Sequence, residues 1–552
     1  MAWYDEAVFY HIYPLGMLGA EKENHYDKVT HRLPELLKWI DYLKRMNFTA
    51  VYIGPLFESV GHGYETTDYK KLDSRLGDNE DLKKFVKACH ESGIKVIFDG
   101  VFNHVGRDFF AFKDLKENRE NSRYRDWFCN VNFWNNNEYN DGFSYDNWGG
   151  YNLLVKLNQR NPEVRDYILD VIRFWVSEFD VDGIRLDAAD VLDFDFMKSL
   201  RWLADGIKSD FWLMGEVIHG DYSRWVNDGT LHSVTNYTLH KGLYSGHNDH
   251  NYFEIAHTVN RLHDMGLNRP DGLKLYNFTD NHDVERIITK LSNKANFYPV
   301  HILSFSLPGI PSVYYGSEFG IEGKKEKGSD ASLRPALHYD ECKDYPENNP
   351  YARFIARLAL TRRENNVLSY GDYRQVTLTN RQYAFTRNSG DVTALVVVNN
   401  DESPATIGGG NVRDGEYVGA LSGKSLTVSG GGFSVELGPN SGEIYVPMAG
   451  GCVKYEPVVQ EVKEPAIEKT LKSENESEQA ENVMYNLPED HSDILPESIA
   501  VRSDYDNMSI QELQVAILAK MAANGPVTDQ MKKTVTDNVY PDSLRNWVKS
   551  FR

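Results

Sequence analysis

The chain has 552 residues, a formal net charge of −21 and 41% hydrophobic residues, enough for several structural units around large cores. The acidic balance excludes nucleic acid, whose phosphates call for clustered Lys and Arg, and it excludes docking on anionic lipid. The four cysteines form no CxxC pair, which excludes a zinc or redox motif, and no run approaches the ~20 apolar residues of a membrane span. The opening residues, MAWYDEAVFYHIYPLG, lack a basic region, a long apolar run and a cleavage site. No signal peptide is expected, and a cytoplasmic location is. Aromatic residues reach 12%, a share that packs cores and also supplies rings for stacking on flat ligands.

In chain order, short apolar runs alternate with amphipathic helical stretches. Residues 7–15 read as a first strand. Residues 31–47 follow as a helix with Leu33, Leu36, Leu37, Ile40, Leu43 and Met46 on one face. Strand 48–56, helix 81–93 with a glycine cap, and strand 94–102 come next. A long helix over 162–179 starts at a proline. Five more strands are predicted at 182–188, 211–218, 233–239, 273–280 and 310–318. Eight β-then-α units with near-continuously apolar strands predict a closed parallel (β/α)₈ barrel, a TIM barrel, over 1–104 and 152–364. An open doubly wound sheet is the alternative, but no Gly-rich dinucleotide turn follows the first strand.

Residues 105–151 break the rhythm. They are rich in Asn, Gly and aromatics and too long for a plain loop, so a small inserted subdomain after the third strand is expected, forming one wall of a cleft. Over 365–449 short alternating strands punctuated by Gly and Asn predict an antiparallel β-sandwich domain. Residues 450–508 are acidic and read as a linker. The stretch 509–552 regains helical signals: Ser509 and Glu512 fit a capping box ahead of Leu513, Ile517, Leu518 and Met521, and Leu544, Trp547, Val548 and Phe551 suggest a second short helix. No role is assigned to this helical tail.

Chemistry concentrates at strand C-terminal ends, where barrel active sites lie. Strand three ends in Asp99-Gly-Val-Phe-Asn103-His104, strand four in Gly183-Ile-Arg185-Leu-Asp187, strand five in Gly215-Glu216 and strand seven in Asn281-His282-Asp283. Glycoside cleavage needs one carboxylic acid to protonate the leaving oxygen and one carboxylate on the other face of the sugar. Arg185 and Asp187 stand two apart, so their side chains share a face, and the guanidinium is expected to keep Asp187 charged and nucleophilic. Glu216 follows an apolar run that favours its protonated form, which suits a general acid.

These spots are similar, in order and spacing, to the motifs of the α-amylase family of glycoside hydrolases, and the resemblance spans roughly residues 3–449. His62-Gly63-Tyr64 through Asp68-Tyr69 and Gly309-Ile310-Pro311 through Tyr314-Tyr315-Gly316 also resemble family signatures. The resemblance implies Asp187 as nucleophile, Glu216 as acid/base and Asp283 as the third carboxylate. It further implies His104, Arg185 and His282 lining the same subsite, Tyr64 stacking on the sugar, and Asp330 with Arg334 reaching the adjacent sugar. The implied reaction is hydrolysis of α-glucosidic bonds with retention through a covalent glucosyl-enzyme, with the two working carboxyl groups about 5–5.5 Å apart. A glucanotransferase or glucoside isomerase on the same scaffold is the alternative.

Leu154-Val155-Lys156-Leu157-Asn158, Asp187-Ala188-Ala189-Asp190-Val191 and Glu216 through His219 resemble the cyclomaltodextrinase, neopullulanase and maltogenic amylase group, which implies maltodextrins, cyclodextrins or related α-glucan oligosaccharides as partners. Val155 stands where that group has Pro, and the sequence opens on the first barrel strand, where the group carries an N-terminal β domain that helps form a dimer. Oligomeric state is left open. In some family members the residue matching Asn103 ligates a structural calcium; no required cofactor is implied, and a metal is left unassigned.

Overall fold

A computed structural model describes residues 2–448 except 328, the helix Ile510–Asn524, and the single positions Lys532, Val535 and Leu544. The chain divides into two compact units, Met1–Tyr485 and Asn486–Arg552. The eight predicted barrel strands are present as β1 (Phe9–Ile12), β2 (Ala50–Ile53), β3 (Lys95–Gly100), β4 (Gly183–Leu186), β5 (Trp212–Gly215), β6 (Ser233–Val234), β7 (Tyr276–Phe278) and β8 (Ile310–Tyr314). They pair in parallel in the order β6-β5-β4-β3-β2-β1-β8-β7.

The ring closes between β6 and β7 by a short seam. Thr235 bridges Tyr276, Asn236 N–H donates to Tyr276 O at 2.9 Å, and Asn236 Nδ2 donates to Asn277 Oδ1 at 2.8 Å. The strand predicted over 233–239 is thus only two residues long, with helix α3 already running over Tyr237–Asn248. The reason is local: the Asn236 side chain accepts from Leu239 N–H at 3.2 Å and starts the helix.

Period-two alternation splits the barrel strands between two cores. Val8, Tyr10, Ile12, Val51 and Ile53 face outward and pack under the helices, while Phe9, Ala50, Tyr52, Ile97, Trp212, Met214, Tyr276, Phe278 and Ile310 fill the barrel interior. Continuing the inward series toward the C-terminal rim gives His11, Asp99 and Arg185, all buried. The polar rim is therefore the top layer of the barrel's own core. Its closeness shows at Gly54, where a Cβ would stand 2.3 Å from the Asp99 Cβ.

The helices follow their sequence signals with adjusted ends. Helix α1 covers Asn79–Glu91 and starts two residues ahead of the predicted 81–93, because Asp78 caps it in a reciprocal box with Asp81. Helix α2, Pro162–Phe179, matches its predicted span and is capped by Asn161. The segment predicted as one helix over 31–47 is instead a 3₁₀ stretch, Leu33–Lys38, followed by α-helix Trp39–Arg45, with Pro34 in its first turn.

Between β3 and α2 lies a three-stranded antiparallel sheet of His104–Val105, Tyr151–Lys156 and Asn147–Trp148. From Asp372 to Pro447 eight strands form a six-stranded antiparallel sheet and a two-stranded one around a separate core. Four of these strands, Asp372–Leu378, Ala405–Gly409, Gly415–Gly419 and Phe433–Leu437, are not singled out by the sequence reading; in the middle two, glycines hide the strand pattern. In the second unit, Leu513 and Ile517 of helix Ile510–Asn524 are buried with Val535 and Leu544, and Leu518 and Met521 pack alongside. The proposed linker 450–508, and Ser509, Trp547, Val548 and Phe551, lie outside the described residues.

Candidate active site

One guanidinium organises the rim. Arg185 Nη1 donates to Asp99 Oδ1 and to Asp187 Oδ1, both at 2.9 Å, and Arg185 Nη2 meets Glu216 Oε2 at 2.8 Å. The register explains this convergence: Arg185 lies beside Asp99 on β3 and beside Met214 on β5, two residues before Glu216. Glu216 Oε2 also accepts from Ala188 N–H at 3.1 Å, and the Tyr237 hydroxyl stands 3.5 Å from Oε1. Tyr52 and Tyr64 donate their hydroxyls to Asp99 Oδ2 at 2.9 and 3.1 Å.

A second group adjoins the first. Asp283 pairs with His282 Nε2 and with Arg334 Nη2, each at 3.0 Å, and the same Arg334 nitrogen reaches Asp330 Oδ2 at 3.1 Å. Arg334 Nε donates to His282 O at 3.0 Å, and its Nη1 donates to the Tyr13 hydroxyl at 3.2 Å. The Tyr64 hydroxyl hydrogen-bonds His282 Nε2, and the Tyr64 and His282 rings lie parallel within 12°, centroids 5.6 Å apart. That contact joins the two groups into one network containing eight of the nine sequence-predicted residues: Asp187, Glu216, Asp283, Tyr64, Arg185, His282, Asp330 and Arg334. The ninth, His104, is buried on the first strand of the insert, with its ring parallel to Trp148 at 6.4 Å.

The charge balance departs from expectation. Arg185 does meet Asp187, as the two-residue spacing predicts, but it is shared among three carboxylates. Burial pushes the Asp187 carboxyl well above its ordinary range, and Glu216, Asp99 and Asp283 push it the same way, against Arg185. Arg185 thus opposes the effect of burial on Asp187 while it is shared with Asp99 and Glu216. Asp283 behaves oppositely. Burial would raise it, but His282, Arg334 and Arg185 outweigh that and hold it well below the usual carboxylate range. Burial pushes His104 down to about 3 and His11 well below its ordinary value, so both imidazoles are neutral at pH 7. The same cause holds the Tyr52, Tyr64 and Tyr237 hydroxyls protonated as donors.

Four contributors escaped the list of candidate site residues. Asp99 stood in its motif, but its place on Arg185 depends on β3–β4 pairing. Tyr13, Tyr52 and Tyr237 carry no motif; the inward alternation along β2 is the one signal that marks Tyr52.

Asn103 is the position that the family resemblance links to a structural calcium. Its Oδ1 is buried without a partner, and its Nδ2 lies 3.2 Å from His104 Nδ1. Among the described residues the one trio of His, Cys, Asp or Glu side chains with ligand atoms mutually within 4.8 Å is His31, Asp78 and Asp81, which belongs to the α1 cap.

Comparison with known proteins gives the family. Residues 33–353 match the α-amylase catalytic domain. The chain is 32% identical over 466 residues to a cyclomaltodextrinase of Thermoanaerobacter pseudethanolicus, covering 80% of this chain and 78% of that one. It is 31% identical over 438 residues to neopullulanase 2 of Thermoactinomyces vulgaris, covering 73% and 71%. Among solved structures, the cyclic α-maltosyl-(1→6)-maltose hydrolase of Arthrobacter globiformis superposes with a TM-score of 0.67 at 26% identity, covering 80% of this chain and 98% of that one. The chain belongs to the α-amylase family of glycoside hydrolases.

Proposed function

We propose that this protein is a retaining α-glucan hydrolase that cleaves α-1,4 bonds, and α-1,6 bonds where they are presented, in maltodextrins, cyclodextrins or related oligosaccharides. The observation that carries the reading is the three-carboxylate cluster on Arg185 at the C-terminal rim. Cyclomaltodextrinases and a neopullulanase among the relatives support the substrate class. The intracellular maltogenic amylase of Bacillus subtilis, 31% identical, supports a cytoplasmic location, and no described helix is long and apolar enough to cross a membrane.

Asp187 is the nucleophile. Its Oδ1 is engaged by Arg185, so Oδ2 is the oxygen that attacks the anomeric carbon. Glu216 Oε2 is anchored by Arg185 and Ala188 N–H, so Oε1, beside Tyr237, protonates the departing oxygen. Anchoring both carboxyl groups on one guanidinium favours the close spacing of a retaining pair. A glucosyl ester on Asp187 results; Glu216, now ionised, takes a proton from water as the water attacks the anomeric carbon and frees Asp187. Asp283, kept ionised, accepts hydrogen bonds from ring hydroxyls.

The test is a product time course on maltoheptaose, pullulan and β-cyclodextrin, with the anomeric configuration followed by NMR. Shorter α-anomeric products are expected. Longer or rearranged sugars from maltotriose would assign the glucanotransferase or isomerase alternative, and inverted products would overturn the mechanism.

A further inference from the structure

The inward series of β1, Phe9 and His11, runs one step further to Tyr13, whose backbone is still extended at φ −97° and ψ 97°. Its ring is buried, stacks on His282 with centroids 5.6 Å apart and planes 20° apart, and lies under the Arg334 guanidinium at 4.6 Å. The hydroxyl donates its only proton to His62 O and accepts from Arg334 Nη1 at 3.2 Å. One oxygen thus links two loops, the one that carries Tyr64 and the one that carries Asp330 and Arg334.

The turn that follows leaves neither loop room to move. It is the short helix Pro14–Met17, and it is wedged between them. A Cβ on Gly16 would stand 2.5 Å from Arg334 O and 2.9 Å from Arg334 Cβ. A Cβ on Gly63 would stand 2.2 Å from Pro55 Cγ and 3.2 Å from Leu15 Cδ1, and Gly63 holds φ +99°, in the left-handed region that favours glycine. Glu65 fixes the same loop, accepting from Gly63 N–H at 3.1 Å and pairing with His62 Nε2 at 3.0 Å.

Arg334 has two carboxylates within reach. Its Nη2 stands 3.0 Å from Asp283 and 3.1 Å from Asp330, so a small rotation favours one over the other. The rest of the fork sets that rotation, with Nε on His282 O and Nη1 on the Tyr13 hydroxyl. A hydroxyl that gives its proton to a carbonyl is a stronger acceptor, which firms the hold on Nη1. We propose that Tyr13 is a positioning residue: its hydroxyl holds Arg334 on Asp283, and holds the His62 loop, and with it Tyr64, at a fixed separation from Arg334. This rests on the α-glucan hydrolase reading above. Asp283 is faced by His282, Arg334 and Arg185, by the carboxylates Asp187 and Asp330, and by His11 and His62, with Lys325 at its backbone carbonyl. Removing the Tyr13 hydroxyl acts on Asp283 through Arg334, which bonds both.

The experiment is Tyr13→Phe, which removes one oxygen and keeps the ring, made alone and on Arg334→Gln. On maltoheptaose the plateau of kcat/KM is expected to fall about threefold, mostly through KM, with the acid limb moved to higher pH. On Arg334→Gln the same change is expected to move that limb no further. Tm against pH gives a readout without turnover. A looser Arg334 leaves Asp283 less depressed, so part of the stabilisation present above the unfolded carboxylate pKa is lost. The Tm gap between parent and Tyr13→Phe should therefore narrow as pH falls below that value. A gap constant with pH together with an unmoved limb overturns the proposal, because a merely structural hydroxyl behaves that way. A limb shift of equal size on Arg334→Gln also overturns it. A narrowing gap in a protein that cleaves no glucan leaves the hold of Tyr13 on Arg334 standing and removes the hydrolase reading.

Discussion

The two ends of strand β4 hold one buried carboxylate each, and their surroundings are opposite. At the N-terminal end Asp182 takes His90 Nε2 at 2.7 Å, Lys95 and Lys208 at 3.0 Å and Val96 N–H at 2.9 Å. Burial would raise its pKa, but these partners hold it well below the ordinary range. At the C-terminal end Asp187 shares a single guanidinium with Asp99 and Glu216, and its pKa is pushed up. One carboxylate is over-supplied with positive partners and the other is starved of them. The strand is the same and the burial is similar; the lower end pairs its carboxylate with several cations, and the upper end gathers three carboxylates on one guanidinium at the rim where barrel chemistry lies.

Substitutions sharpen this contrast, the largest effect first. Asp187→Asn should lower kcat on maltodextrin roughly 10⁴-fold while leaving the folded circular dichroism spectrum and Tm close to the parent's. A large fall in Tm instead would make the upper end structural too. Arg185→Lys keeps the charge but loses the fork that spans Asp187 and Glu216. It should cost about 10²–10³-fold in kcat/KM, because a point charge cannot position two carboxyl groups.

Asp182→Asn should do the reverse, lowering stability by about 2–3 kcal/mol in urea titrations at pH 7 with kcat nearly unchanged. Because the folded pKa of Asp182 is depressed, its stabilisation is complete above the unfolded carboxylate value and fades as pH falls below it. The gap between parent and variant should therefore narrow in acid; a gap constant with pH would contradict the linkage. The smallest effect belongs to Arg334→Gln. Losing that cation raises the Asp283 pKa, so the acid limb of the kcat/KM profile should move to higher pH while its plateau falls modestly.

How much of this the sequence disclosed follows from the range of each interaction. Arg185 and Asp187 were readable because period two fixes their common face within one strand. The carboxylates at the ends of β5 and β7 were readable because a barrel brings all strand ends to one rim. What pairing decides was hidden: Asp99 reaches Arg185 only through the β3–β4 register, and the excess of carboxylates over cations is a property of three strands together. Tyr13, Tyr52 and Tyr237 were lost among 33 tyrosines because no motif marks them: Tyr13 accepts from Arg334 and donates to His62 O, Tyr237 stands beside Glu216, and inward alternation alone points to Tyr52 on Asp99. The shortness of β6 was missed because Ser233 through Leu239 reads as strand until Asn236 is recognised as a cap.

That short strand has a dynamic consequence. A ring held by many backbone pairs elsewhere is joined at β6–β7 by the Thr235–Tyr276 bridge and two hydrogen bonds from Asn236. Local opening events begin where the fewest bonds must break, so amide hydrogens at this joint should exchange with solvent sooner than those of β2 or β4. Tyr237, the next residue, stands beside Glu216 and accepts from Asn281 at 3.0 Å. The barrel joint with the fewest backbone pairs thus lies one residue from the tyrosine that stands beside the group assigned to deliver the proton.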